Sequence, residues 1–304
     1  MRKAGIYTLV CYAITWIFWI GFLFFIGDPR QGEPSPFISL MLTLGMFMPV
    51  LATLISSKLI LKEEKFTIGI HPRFTKKNIK YYIAAWLCPS ILTALGIFSY
   101  YLIFPGDFSV ANSTLAQSLK DVPGISEDML GGIIVVQLAS GILLGPLLNL
   151  IFAFGEEGGW RGYLYPALQE KFSERAACLV TGVIWGLWHA PITVALGHNY
   201  GFEYPGYPFT GVLTMVVFCI FFGAFLSYLQ TRSQSVWPAA LAHGAINAIA
   251  SAGALFFVLG SNGLISPTPA AWIGNIPLIL LGFWCFTRLS GKRPKTLQAQ
   301  EQEV

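Results

Sequence analysis

Apolar residues in this chain gather into long uninterrupted runs separated by short polar stretches, instead of recurring at the two-residue or 3.6-residue period of a half-buried element. Such runs fall at roughly 5–26, 37–61, 81–104, 130–154, 177–197, 209–230, 235–258 and 271–289. Each is about the 20 residues that an α-helix needs to cross a bilayer core of roughly 30 Å. The pattern predicts an all-α polytopic membrane protein, a bundle of about eight transmembrane helices. The fourth run is expected to continue as a helix through Glu156 and Glu157. No internal repeat appears, and residues 1–287 read as a single transmembrane helical domain with its catalytic core at about 130–250. Residues 288–304 are basic, then acidic, and read as a disordered cytoplasmic tail.

The polar stretches order the runs. Of 19 lysines and arginines, all but Arg30 and Lys120 fall on one side when the eight runs are threaded alternately. Cationic loops stay in the cytoplasm, so both termini are expected there, in a multi-pass integral membrane protein. The run from Ile6 to Ile26 exceeds a signal-peptide core and no small-x-small site follows it, so it reads as a retained first helix. The segment 27–36 is a turn-rich external loop, and 105–129 is long enough for a short interfacial helix. Tyr200, Phe202, Tyr204 and Tyr207 suit a loop at headgroup level.

Composition agrees. Hydrophobic residues make up 55% of 304 and charged residues 11%, with a mean hydropathy of +0.62; a soluble domain carries about 25% charged residues. The net charge of +4 comes from the loop asymmetry and gives no reason to expect nucleic acid as a partner. The five cysteines lie far apart inside apolar runs, with no CxxC or Cys/His zinc spacing. They read as small hydrophobes.

Against this background the polar residues inside apolar runs stand out, because an ionised side chain at the bilayer centre costs roughly 2.5–3.5 kcal/mol on insertion scales. Glu156 and Glu157 close the fourth run and Arg161 follows. On a helix Glu157 and Arg161 share a face and can pair, whereas Glu156 lies about 100° away and is left free. A solvated charge cluster at a helix end is the plain alternative. His189 lies within Trp185-Gly186-Leu187-Trp188-His189-Ala190-Pro191, where Pro191 is expected to kink the helix. His243 and Asn247 occupy one face of the seventh run, where interhelical hydrogen bonding is the alternative to chemistry. Gly141 with Gly145, and Gly182 with Gly186, are spaced for close helix approach, which is expected to bring the fourth and fifth spans together. Glutamates and histidines at one depth are suited to activating a water, directly or through zinc.

Taken in order, Glu156-Glu157-x-x-x-Arg161, Trp185-x-x-x-His189 and His243-x-x-x-Asn247 resemble the CAAX protease and bacteriocin-processing family of intramembrane proteases, which includes the type II CAAX prenyl endopeptidases. The resemblance covers roughly residues 130–250. Trp185 stands where phenylalanine is usual and reads as a conservative aromatic swap. The resemblance implies peptide-bond hydrolysis in the membrane: Glu156 activating water, Glu157 and Arg161 organising it, His189 acting beside Glu156, and His243 and Asn247 stabilising the oxyanion or binding a metal. Glu156, His189 and His243 are the residues for a divalent metal such as zinc; a metal-free glutamate mechanism fits the sequence equally. The implied partners are a peptide or prenylated protein substrate and the lipid bilayer, with the site opening to the cytoplasm. The substrate class suggested is the C-terminal tripeptide of a CAAX protein. The competing readings are a non-enzymatic immunity or scaffold protein and a proton- or metal-coupled transporter.

Overall fold

A computed structural model describes residues 1–26, 36–64, 68–256 and 263–292, and these are mostly helical, with no strand among them. The elements are α1 (Arg2–Ile26), α2 (Pro36–Gly45), α3 (Met48–Leu54), α4 (Ile79–Ile103), α5 (Thr114–Leu119), α6 (Leu130–Leu143) and α7 (Gly145–Leu148). There follow α8 (Leu150–Gly159), α9 (Tyr165–Gln169), α10 (Glu174–Trp188), α11 (Ala190–Leu196), α12 (Phe209–Ser233), α13 (Trp237–Ile249) and α14 (Ile276–Arg288). The all-α membrane-bundle expectation holds.

Five helical stretches are long and apolar enough to span a bilayer by themselves: Arg2–Phe25, Phe37–Ile60, Ile79–Ile103, Glu174–Leu196 and Phe209–Ser233. The other three runs are shorter or broken as helices. The fourth is interrupted at Leu144 and Asn149, where Pro146 cannot donate a helical hydrogen bond. Helix α8 then carries on through Glu156 and Glu157, as expected, and passes into a wide turn over Trp160–Leu164 with i→i+5 geometry. Such an inserted residue re-aims side chains and is frequent at functional sites. The seventh run is helical only to Ile249 and tightens into a 3₁₀ segment at Ala250–Leu255. Pro191 does interrupt the fifth run: α10 ends at Trp188 and α11 restarts beyond His189.

The glycine pairs make close contacts, but not the ones expected. A Cβ at Gly182 would lie 2.7 Å from Ile220 Cα, and one at Gly186 2.5 Å from Val216 Cα, so these residues seat α10 on α12. Gly141 and Gly145 approach Ala248 of α13 instead of the fifth span. Spans four and seven, and spans five and six, are therefore the intimate pairs. The glutamates meet the fifth span through long side chains across the space between.

The 105–129 connection holds the short helix α5, capped by Ser113, whose hydroxyl accepts from Ala116 N–H at 3.1 Å. In the 197–208 loop, Tyr200 and Tyr204 are buried against the protein, and Tyr200 Oη donates to Ala270 O at 3.0 Å. All five cysteines are unpaired thiols. The segment expected to be a tail begins at 288, yet Leu289 is buried and Arg175 Nε donates to its carbonyl at 2.9 Å. Residues 293–304, most of the segment read as a tail, lie outside the described residues, as does most of the 27–36 loop.

Candidate functional site

Glu156 and Glu157 sit on α8 with 3% and 0% of their surface exposed, so the solvated-cluster alternative fails. Taking charges out of water costs several kcal/mol per ion unless pairing offsets it. Glu157 has two such partners. Arg161 Nη1 lies 3.0 Å from both of its carboxylate oxygens, and His243 Nδ1 donates to Oε1 at 2.8 Å. Arg161, itself fully buried, also stacks over the Trp185 ring, its guanidinium carbon 4.6 Å from the centroid. The fourth, fifth and seventh spans thus converge on one ion-paired node.

Glu156 is held differently. Trp185 Nε1–H donates to Glu156 Oε2 at 2.8 Å, and Trp160 Nε1–H approaches the same oxygen at 3.4 Å. The other oxygen, Oε1, lies 4.0 Å from His243 Nε2. That separation is too long for a direct hydrogen bond and is the sort a water bridges. Glu156, Trp185, His189, His243 and Asn247 all line one cavity of about 290 Å³, close to the lower end of the size range for small-molecule sites. Glu157 and Arg161 stand behind its wall.

His189 also reaches the cavity, but at a distance from the carboxylates. Its Nδ1 is tied to the Trp185 carbonyl oxygen at 2.9 Å, which makes Nδ1 the protonated nitrogen and leaves Nε2 for the cavity. It packs edge-on against Trp188. Asn247, one turn beyond His243 on α13, is exposed to the cavity. His198, in the loop after α11, also lines it. Burial pushes the His198 imidazole down to about 4, so it is neutral at physiological pH.

The metal set suggested by the sequence is not assembled. No group of three or more His, Cys, Asp or Glu side chains among the described residues is placed to share a metal ion. Zinc ligands held tetrahedrally at roughly 2.0–2.1 Å stand about 3.3 Å apart, closer than the 4.0 Å between His243 Nε2 and Glu156 Oε1.

Two residues of the site were undervalued by sequence reasoning. The phenylalanine-to-tryptophan swap at Trp185 is not neutral, because the indole N–H is the shorter of the two donors on Glu156. Trp160, embedded in the Glu-Glu-Gly-Gly-Trp-Arg stretch, is fully buried and is the other. Its i,i+4 spacing from Glu156 was the available signal.

Comparison with known proteins bears on this node. Residues 136–249 match the family described as Type II CAAX prenyl endopeptidase Rce1-like, a stretch that contains all three motifs. CAAX prenyl protease 2 of Methanococcus maripaludis is 39% identical over 56 residues, covering 18% of this chain and 20% of that protein. Lysostaphin resistance protein A of Staphylococcus haemolyticus is 29% identical over 106 residues, or 35% of this chain and 25% of that one. The matched segments thus span about a fifth and a quarter of these relatives. The resemblance carried by the three motifs is thereby shown: over residues 136–249 this chain is similar to the type II CAAX prenyl endopeptidases.

Proposed function

We propose that this protein is a membrane-embedded endopeptidase in which Glu156 activates a water against a peptide carbonyl. The observation that carries the reading is the unequal treatment of two adjacent carboxylates. Glu157 is consumed by Arg161 and His243, while Glu156 keeps one oxygen turned to the cavity and the other fixed by Trp185. One carboxylate builds the site and the other is left to react.

In the proposed reaction Glu156 takes a proton from water as the water oxygen attacks the carbonyl carbon. The same carboxyl then returns that proton to the leaving amide nitrogen as the C–N bond breaks. His243 and Asn247, one turn apart on α13, contact the developing oxyanion, the asparagine through its amide N–H. Arg161 and Glu157 orient His243, and His189 faces the substrate beside Trp185. Both termini are assigned to the cytoplasm by the lysine and arginine distribution.

The test is cleavage of quenched fluorescent peptides by purified protein, one a farnesylated CAAX peptide and one an unlipidated apolar sequence, beside Glu156→Ala. Cleavage of at least one by the wild type and of neither by the variant supports the reading. Equal cleavage by both proteins overturns it. A chelator lane reads metal dependence, and retained activity is expected because Glu156, His189 and His243 do not form a ligand set.

A further inference from the structure

A second hollow lies on the outer side of the bundle, between α4 and the helices α7, α8 and α13, and shares no residue with the cavity at Glu156. It is a groove of about 570 Å³. Ile79, Ile83 and Leu87 form one wall along α4, and Leu147, Leu150 and Leu241 face them. From Ile79 to Leu87 is about 12 Å at 1.5 Å per helical residue. Ile83, Leu87 and Leu147 are 53%, 42% and 49% exposed, so the groove opens outward from the bundle.

The lining selects its occupant. It holds no charged side chain, and its three side-chain polar atoms are already bonded to backbone carbonyls. Trp86 Nε1 donates to Ile142 O at 2.9 Å, Trp237 Nε1 to Ile70 O at 2.6 Å, and Tyr82 Oη to Pro72 O. A peptide laid here would find no side-chain partner for its backbone, a cost that apolar surroundings do not offset. A hydrocarbon chain has no such requirement.

The mouth of the groove is built differently. Pro72 and Phe74 line it, within a segment pinned to the ends of α12 and α13. Gly69 O accepts from Val236 N–H at 3.1 Å, and Asn78 Nδ2 donates to Arg73 O at 3.1 Å and to Ser233 O at 2.9 Å. This fixed edge exposes Arg73, Lys76 and Lys77, and none of the three has a carboxylate partner among the described residues. Ile70 and Phe74, 49% and 71% exposed, are interleaved with them. Unpaired cations beside an apolar groove complement a molecule that joins a phosphate to acyl chains.

We propose that this groove binds one anionic glycerophospholipid, with an acyl chain between α4 and α13 and the phosphate on Arg73, Lys76 and Lys77. A zwitterionic headgroup gains less at this edge, because its own cation opposes the three on the protein. The bound lipid bridges the 69–78 segment to α7, α8 and α13, so it stabilises the folded chain by linkage.

Native mass spectrometry of the full chain in detergent, with added phosphatidylglycerol or phosphatidylcholine of the same acyl chains, tests the site. The expected result is a single phosphatidylglycerol adduct in preference to phosphatidylcholine, with a rise in melting temperature that salt reverses. Each cation near an anionic surface contributes roughly fivefold, so Arg73→Gln with Lys76→Gln and Lys77→Gln should weaken phosphatidylglycerol binding by more than about tenfold. Lys58→Gln with Lys62→Gln and Lys171→Gln makes the same charge change at exposed positions outside the groove and should keep the preference. Ile83→Trp fills the groove from a half-exposed position, leaves the cations in place, and should lower binding of both lipids. Equal binding of the two lipids by the wild type, equal loss in the two charge variants, or undiminished binding by Ile83→Trp overturns the proposal. A lipid-free dimer would give the groove to a second copy of the chain. A melting shift produced by inorganic phosphate alone would reduce the site to its cations. Either result also overturns it.

Discussion

Replacing Trp185 by phenylalanine isolates one hydrogen bond at the centre of the site. The indole N–H is 2.8 Å from Glu156 Oε2, and the remaining donor on that oxygen, Trp160, stands at 3.4 Å. The change leaves an aromatic ring over Arg161, so the cation–π contact at 4.6 Å is retained in kind. What is lost is a donor to a buried carboxylate, worth about 1.5–3 kcal/mol for a charged acceptor, together with some volume. If that interaction is needed to aim Glu156 at water, kcat falls about 10- to 100-fold, at a factor of ten per 1.4 kcal/mol, with KM little changed. Trp86→Phe is the matched control: Trp86 Nε1 donates to Ile142 O at 2.9 Å and touches nothing in the site. Both variants should lose thermal stability to a similar degree, and only Trp185→Phe should lose kcat in the fluorogenic assay. Wild-type kcat in Trp185→Phe, with the same drop in melting temperature as Trp86→Phe, would refute the reasoning and reduce Trp185 to packing.

The other predictions concern the node behind Glu156. Arg161→Ala leaves Glu157 buried with only His243 as a partner, and removing one member of a buried pair costs about 3–5 kcal/mol; a melting temperature equal to wild type in detergent would show that the pair carries no stability. Gly223→Ala places a Cβ 2.6 Å from Arg161 Nη2, so the guanidinium must shift. The expected result is at least a several-fold loss of activity, and unchanged activity with an unchanged melting temperature would show that the clamp has room to spare.

Much of the site was legible because its logic is local. Glu157 and Arg161 pair because four residues on a helix place them together, and Glu156 stays free because one residue turns it about 100°. His243 and Asn247 share the cavity face by the same rule. The membrane bundle followed from run length alone. What periodicity does not encode is which helix faces which. The glycines of α10 fit α12 as well as they would fit α8, and only the assembled bundle shows the choice. The breaks at Leu144 and Asn149 were hidden because Pro146 and Gly145 sit inside an otherwise unbroken apolar run. The part played by Trp185 was hidden because an aromatic ring reads as packing until its N–H is seen against a carboxylate.

The most direct test of the central claim is the incorporation of ¹⁸O from labelled water into the new C-terminal carboxylate of the cleaved peptide, compared between wild type and Glu156→Gln. The account predicts labelled product from the wild type and a rate lower by about 10²–10⁴, the usual contribution of a general base, in a variant that matches its size and lacks its basicity. Labelled product formed at the wild-type rate by Glu156→Gln would contradict it.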